Sequence, residues 1–294
     1  MKSFFLNHDV LVMDGAMGTQ LIQLGLTHGH PSMLWNVERP QAVSSVHRSY
    51  ADAGCNCLTT NTFGGSTLML ARYGLLERFE ELNRQAVRLA KEAAEGRCFI
   101  LGDIGPCGDF LEPLGDLTEL ELADAVKRQA DQLLAEGIDG FIVETMSDTT
   151  EMQVTVSALK SFGLPIISSY TYERNGETYQ TMMGTTPKQA ALAAFHAGAD
   201  AIGANCGTSL SLDDYLAIGA DLMSCCHGLP VLLQPNAGTP IATPDGFEYG
   251  VSPADFAEWA ETAAKLGIKI VGGCCGTTPD HIKAVAEALH SARS

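Results

Sequence analysis

Short apolar runs alternate with amphipathic helical periods along the whole chain. The runs are "VLVMDG" (10–15), "CNCLTTNTF" (55–63), "CFILGDIGP" (98–106), "IDGFIVETM" (138–146), "LPIISSYTY" (164–172), "ADAIGANCG" (199–207), "LPVLLQPNAG" (229–238) and "IKIVGGCCG" (268–276). Several are apolar almost without a break, as strands are when both faces of a parallel sheet are covered. Between them lie apolar positions at helical spacing, clearest over 79–95 and 120–137, each with a Gly at its end as a stop. The segments 185–198 and 277–290 share a start signal. Thr186 or Thr278 can cap, and the Pro after it suits the first helical position. Shorter helices are predicted at 40–53, 148–162, 211–225 and 252–266.

Eight β-then-α units in 294 residues predict an α/β fold, a single-domain (β/α)8 TIM barrel over 1–294. The competing fold is an open, doubly wound sheet. Against it, "DGAMGTQ" (14–20) lacks the glycine fingerprint of a dinucleotide site, no P-loop follows any run, and no linker splits the chain.

In a barrel the chemistry gathers at the carboxyl ends of the strands. Those ends offer Asp14 and Gly15; Thr60, Asn61 and Thr62; Asp103 and Cys107; Glu144; Tyr170 and Tyr172; Asn205 and Cys206; Gln234 and Asn236; and Cys274 with Cys275. Strands six and eight flank strand seven, so Cys206, Cys274 and Cys275 share one face. Three thiolates and one open position suit a catalytic zinc. Gly272, Gly273 and Gly276 would let the backbone bend so that adjacent cysteines turn toward one ion. The other reading of a Cys-Cys pair is small buried filler, which is how Cys225–Cys226 reads. Cys55 and Cys57 read as core on one face of strand two, and Cys107 as part of a turn. Asp14 and Glu144 each end an apolar run. A buried acid there needs a cation or hydrogen-bond donors; a substrate ammonium and an internal hydrogen bond both answer. His28 and His30 in "THGHP" (27–31) read as a solvated turn.

Composition narrows the function classes. The chain is 46% hydrophobic and 18% charged, with a formal net charge of −17. That charge disfavours nucleic acid and anionic membranes as partners. No run reaches the ~18 apolar residues of a membrane span, and "MKSFFLNHDV" lacks the apolar stretch of a secretory leader. Nine cysteines, an odd count in an unsecreted chain, argue for reduced thiols and a cytoplasmic location.

Six stretches together resemble the homocysteine S-methyltransferase family: "MDGAMGTQL" (13–21), "LTTNTFGG" (58–65), "IVETMSD" (142–148), "GANCGTS" (203–209), "LQPNAG" (233–238) and "GGCCGTTPDHI" (272–282). They run in family order from end to end. The resemblance implies a zinc ion on Cys206, Cys274 and Cys275. It implies acids at Asp14 and Glu144 for the homocysteine amino group, and backbone N–H groups around Gly15 and Ala16 for its carboxylate. Many relatives carry Gly where Ala16 stands. Asn236 matches a residue near the zinc. "TNTFGGSTLMLARYGL", "LEPLGDLT" and "MGTTP" are most similar to the homocysteine-binding module of cobalamin-dependent methionine synthase. The chain lacks the D-x-H-x-x-G corrinoid signature and stops after one barrel. The implied methyl donor is therefore methylcobalamin or another methylcorrinoid on a separate corrinoid protein. S-methylmethionine, S-adenosylmethionine or betaine are the alternative donors, and a thiol- or zinc-binding module without turnover is the alternative role.

Overall fold

The computed structural model describes residues 9–243 and 246–291. The stretch read for a leader lies largely outside them. Eight strands follow in order: β1 (Leu11–Val12), β2 (Cys57–Thr59), β3 (Phe99–Ile104), β4 (Gly140–Met146), β5 (Ile166–Tyr170), β6 (Ala201–Asn205), β7 (Val231–Gln234) and β8 (Ile270–Val271). Every neighbouring pair is parallel, from β2–β3 round to β8–β1. A parallel bridge between Met13 and Cys57 closes β1 onto β2. The sheet is a barrel, as the eight-fold pattern predicts.

Helices α1 (Pro40–Asp52), α2 (Phe79–Ala94), α3 (Glu119–Ala135), α4 (Thr149–Leu159), α5 (Pro187–Ala197), α6 (Leu212–Cys225), α7 (Pro253–Leu266) and α8 (Pro279–Ser291) surround it. Most of their starts are capped by side chains, though those of α1 and α2 are not. Thr186 accepts from Gln189 N–H while the Gln189 side chain accepts from Thr186 N–H, a capping box with Pro187 at the first position. At α8 a histidine side chain reaches back in the same way: His281 Nδ1 meets Thr278 N–H at 3.2 Å and the Thr278 hydroxyl at 2.9 Å. No helix among the described residues is long and apolar enough to cross a membrane.

Two β-hairpins stand outside the eight-fold pattern, Glu173–Asn175 with Thr178–Gln180 and Ile241–Thr243 with Gly246–Glu248. Both extend the loops that leave the barrel's carboxyl end, after β5 and β7. The first turns at Gly176–Glu177 with Gly176 at φ +62°, a hairpin signal hidden beside a strong apolar run. It is tied to α6 by an Arg174–Asp214 ion pair and by Tyr179 donating to Asp214 at 2.7 Å.

All eight strands send one or two side chains to the barrel axis: Leu11, Met13, Cys57, Leu101, Ile142, Ile167, Ala201, Leu232 and Ile270. This apolar plug is a packed core. Two residues further along, the same inward faces turn polar at Thr59, Asp103, Glu144, Ser169 and Gln234, and on β6 four residues along, past Gly203, at Asn205. The site is built on that polar layer. The alternation also corrects two expectations. Tyr170 and Tyr172 belong to the helix-facing core, leaving Ser169 as the inward residue of β5. Cys55 lies before β2 begins and packs in the outer core near Cys98, sulfurs 3.9 Å apart, while Cys57 faces the axis. His28 and His30 are exposed.

Candidate metal centre

Cys206, Cys274 and Cys275 bring their sulfur atoms within 4.8 Å of one another, all three half-buried. Zinc holds thiolates at about 2.3 Å in tetrahedral geometry, which sets neighbouring sulfurs about 3.8 Å apart. The donor set is soft, closed on one side and short of a fourth ligand. It could hold a metal ion, and it suits zinc or another thiophilic cation.

The backbone is bent to deliver these sulfurs. Cys206 sits at φ +57° with Gly207 at +94° behind it. Left-handed backbone is uncommon outside glycine and costs energy that the surroundings must hold in place. Cys206 N–H donates to Gln234 O at 3.3 Å and Cys274 N–H to Pro235 O at 2.8 Å, so both ligand-bearing strand ends hang on β7 and its exit. The adjacent cysteines occupy the first two places of a β-turn. Thr277 N–H closes it on Cys274 O at 3.1 Å, and Gly276 at φ +80° takes the third place, where positive φ calls for glycine. The bend expected of Gly272 and Gly273 is thus made at Gly276. Gly272 and Gly273 serve close approach instead: a Cβ would lie 2.6 Å from Met13 Cβ at Gly272, and 2.4 Å from Thr277 Oγ1 at Gly273.

The thiols share charge. Cys206 is held down to about 3, chiefly by the neighbouring thiols of Cys274 and Cys275, with Gly207 N–H and the Asn236 amide helping. The thiolate on Cys206 in turn pushes Cys275 up to about 12 and raises Cys274 well above the usual thiol range. One thiolate bonded by two thiols is a cluster with two protons to exchange for a divalent cation.

Asn236 is 5% exposed; its Nδ2 donates to Gly207 O at 2.8 Å, and its Oδ1 has no protein partner. Tyr249, absent from the sequence expectations, lies over Gly276 and within hydrogen-bonding reach of Cys275. No sequence spacing pointed to it, because it follows the second hairpin.

Asp14 is 3% exposed and accepts from Thr59 N–H at 2.7 Å and the Thr59 hydroxyl at 2.9 Å. Burial outweighs these bonds and lifts its carboxyl to about 7. Glu144 is also lifted to about 7, by burial first and then by Cys206 and Asp14. Its Oε2 accepts from Asn205 Nδ2 at 2.9 Å, and Asn205 also holds Thr145 and Ser169. A register irregularity between Val143 and Met146 places Thr145 at φ +61°, a real outlier for a β-branched residue. Strain therefore sits on both sides of Glu144 and Cys206. Asp103, next to last in β3, lies within hydrogen-bonding reach of Glu144, a third inward acid. The spacing of Leu101 and Asp103 on one strand face was the available signal.

Gly15 has no room for a side chain, since a Cβ would lie 2.6 Å from Thr277 Oγ1 and 2.8 Å from the Tyr50 hydroxyl. Ala16 N–H donates to Thr277 Oγ1 at 3.1 Å, and the Tyr50 hydroxyl donates to Ala16 O at 2.9 Å. A substrate carboxylate reaching Ala16 N–H would share it with that threonine. Thr277 also donates to Cys274 O at 2.8 Å, so it links the β1 loop to the metal-side turn. Thr277→Val keeps the shape and removes both bonds. It should cost about 1–3 kcal/mol in urea unfolding and weaken metal retention. Unchanged stability and metal content would show that the link carries no load.

Comparison with known proteins agrees with this geometry. The family model described as homocysteine S-methyltransferase matches residues 11–289. Methionine synthase of Mycobacterium tuberculosis is 34% identical over 97% of this chain and 25% of its own length. Methionine synthase of Mycobacterium leprae is 34% identical over 95% of this chain and 24% of its own. The chain thus spans about a quarter of those relatives. Among solved structures, the metallated form of the homocysteine methyltransferase MmuM from Escherichia coli superposes with a TM-score of 0.79 at 24% identity, covering 100% of this chain and 99% of that one; at that identity it speaks for the fold. A match along nearly the whole barrel makes the chain a member of the homocysteine S-methyltransferase family.

Proposed function

We propose that this barrel is a zinc-dependent methyltransferase that moves a methyl group onto the thiol of homocysteine to give methionine, with a methylcorrinoid held outside the barrel as donor. The observation that carries the reading is the trio of sulfurs within 4.8 Å beside two inward carboxyls, in a member of this family. Free thiols at all nine cysteines suit a reducing compartment, and we place the protein in the cytoplasm.

Cys206, Cys274 and Cys275 would hold the zinc, and Asn236, whose amide helps hold the Cys206 thiolate and whose Oδ1 is buried without a partner, would serve as a replaceable ligand. Zinc so held supplies the charge that keeps an added thiol ionised at neutral pH. Three thiolates would leave that centre with a net negative charge, so an added sulfur would keep its nucleophilicity. Asp14 and Glu144 accept from the substrate ammonium and fix the amino acid's reach. Gly15 gives the carboxylate a close backbone approach. The sulfur then attacks the methyl carbon in line. The bond from carbon to its donor breaks, and its electron pair leaves with the donor. No protein base is needed, and the enzyme's own share is position and charge.

A donor panel tests this. With homocysteine as acceptor, methionine should form from methylcobalamin or a methylated corrinoid protein, and far more slowly from S-methylmethionine, S-adenosylmethionine or betaine. Fast turnover of a free sulfonium or betaine without any corrinoid would replace the donor assignment. Zinc binding without turnover of any donor would leave a binding module.

A further inference from the structure

Three acids, not two, meet above the apolar plug. Asp103 is 4% exposed, and its backbone is fully used: N–H to Thr60 Oγ1 at 3.0 Å, C=O from the Thr62 hydroxyl at 2.7 Å. Its side chain is not. Oδ1 is buried with no hydrogen-bond partner, and the carboxyl lies within hydrogen-bonding reach of Glu144. A buried acceptor without a donor is costly to keep. It is tolerated most readily where a ligand brings the donor.

An ammonium carries three N–H donors. Asp14 and Glu144 account for two in the function proposed above, on which this inference rests. We propose that Asp103 is the third acceptor, and that the carboxyl oxygen it does not commit to Glu144 makes the site select thiols that carry an amine. The charge balance says how. Three ionised carboxyls beside a negative cysteine cluster would far exceed one ammonium. Asp14 from β1 and Glu144 from β4 are the charged groups that bear on Asp103, and Cys206 from β6 bears on Glu144. Burial, then Glu144, pushes the Asp103 carboxyl well above its usual range, while the bond from Asp103 works to keep Glu144 ionised. Asp103 therefore keeps a proton on one oxygen and donates it to Glu144. The other oxygen is left as a neutral carbonyl acceptor.

An amide has the same layout, N–H toward Glu144 and carbonyl toward the ammonium. Asp103→Asn should therefore keep KM for homocysteine within about threefold of wild type. Asp103→Leu and Asp103→Ser should raise it about tenfold or more, with kcat changed less. The des-amino analogue of homocysteine serves as second substrate in each variant. Its turnover should not fall further, so the ratio between the two substrates cancels any general damage to the fold. Zinc content and circular dichroism are read on the same samples. If wild type does not methylate homocysteine, the function itself is wrong. If wild type does and the substrate ratio is unmoved in the Leu and Ser variants, Asp103 is not an acceptor. If Asp103→Asn is as damaged as Asp103→Leu, Asp103 acts as a charge and the neutral-acceptor assignment falls.

Discussion

Cys275→Ser will lose both metal and activity, with turnover of homocysteine down by at least about a thousandfold. Two effects combine. At pH 7 a thiol of ordinary pKa near 8.5 is about 3% ionised, so failure to hold the thiolate costs about thirtyfold. The larger loss is position: a reacting sulfur fixed beside the donor gains far more than that from orientation alone. A serine hydroxyl is too hard and too weakly acidic to replace a thiolate on zinc. Cys206→Ser should fall equally far, because Cys206 carries the thiolate to which the other two thiols are bonded. Cys225→Ser, at the carboxyl end of α6 and away from the trio, is the matched control. Metal analysis should find about one zinc per wild-type chain and none in the two site variants. A Cys275→Ser protein with full metal and full rate would remove the zinc centre from the account.

The route from sequence to this centre was uneven, for physical reasons. Strand and helix order was legible because every barrel strand is buried on both faces, so each announces itself as an apolar run. The three cysteines came together only through the fold, since no local spacing links Cys206 to Cys274. The acids at Asp14 and Glu144 stood out as polar residues closing apolar runs. Asp103 closes one too, yet its meaning lies in its nearness to Glu144 across two strands, which needs the barrel's register. The hairpins and Tyr249 were invisible for another reason: they pack on loops, where neither a strand period nor a helix period applies. The glycines around the cysteines were read as one backbone requirement, but of the three only Gly276 makes the bend, while Gly272 and Gly273 allow close approach. A left-handed Cys206 and Thr145 could not be foreseen, since neither residue type prefers that conformation.

The two acids set activity against stability. Asp14→Asn should raise KM for homocysteine roughly ten- to a hundredfold, as expected when a buried charge-assisted hydrogen bond is lost. The Asn amide can still accept from Thr59 N–H and donate to a rotated Thr59 hydroxyl, so local packing survives. Stability should move the other way. Burial raises the folded Asp14 from 3.8 to about 7. The folded protein then holds a proton that the unfolded chain has released across that interval, and folding stability from this group falls as pH rises through it. Glu144, raised to about 7, adds in the same sense. Wild type and variant compared at each pH, in the absence of substrate, should diverge from about pH 4 to about pH 7, the variant gaining on the order of 1–3 kcal/mol at the upper end. The cysteines contribute equally to both proteins and cancel in the difference. Over the same interval homocysteine should bind wild type more tightly as pH rises, because the ammonium needs the ionised acids. In Asp14→Asn that rise should shrink to the share carried by Glu144. A difference in thermal midpoint that is flat with pH, joined to an unchanged KM, would mean that Asp14 is a neutral structural acid with no part in binding the substrate.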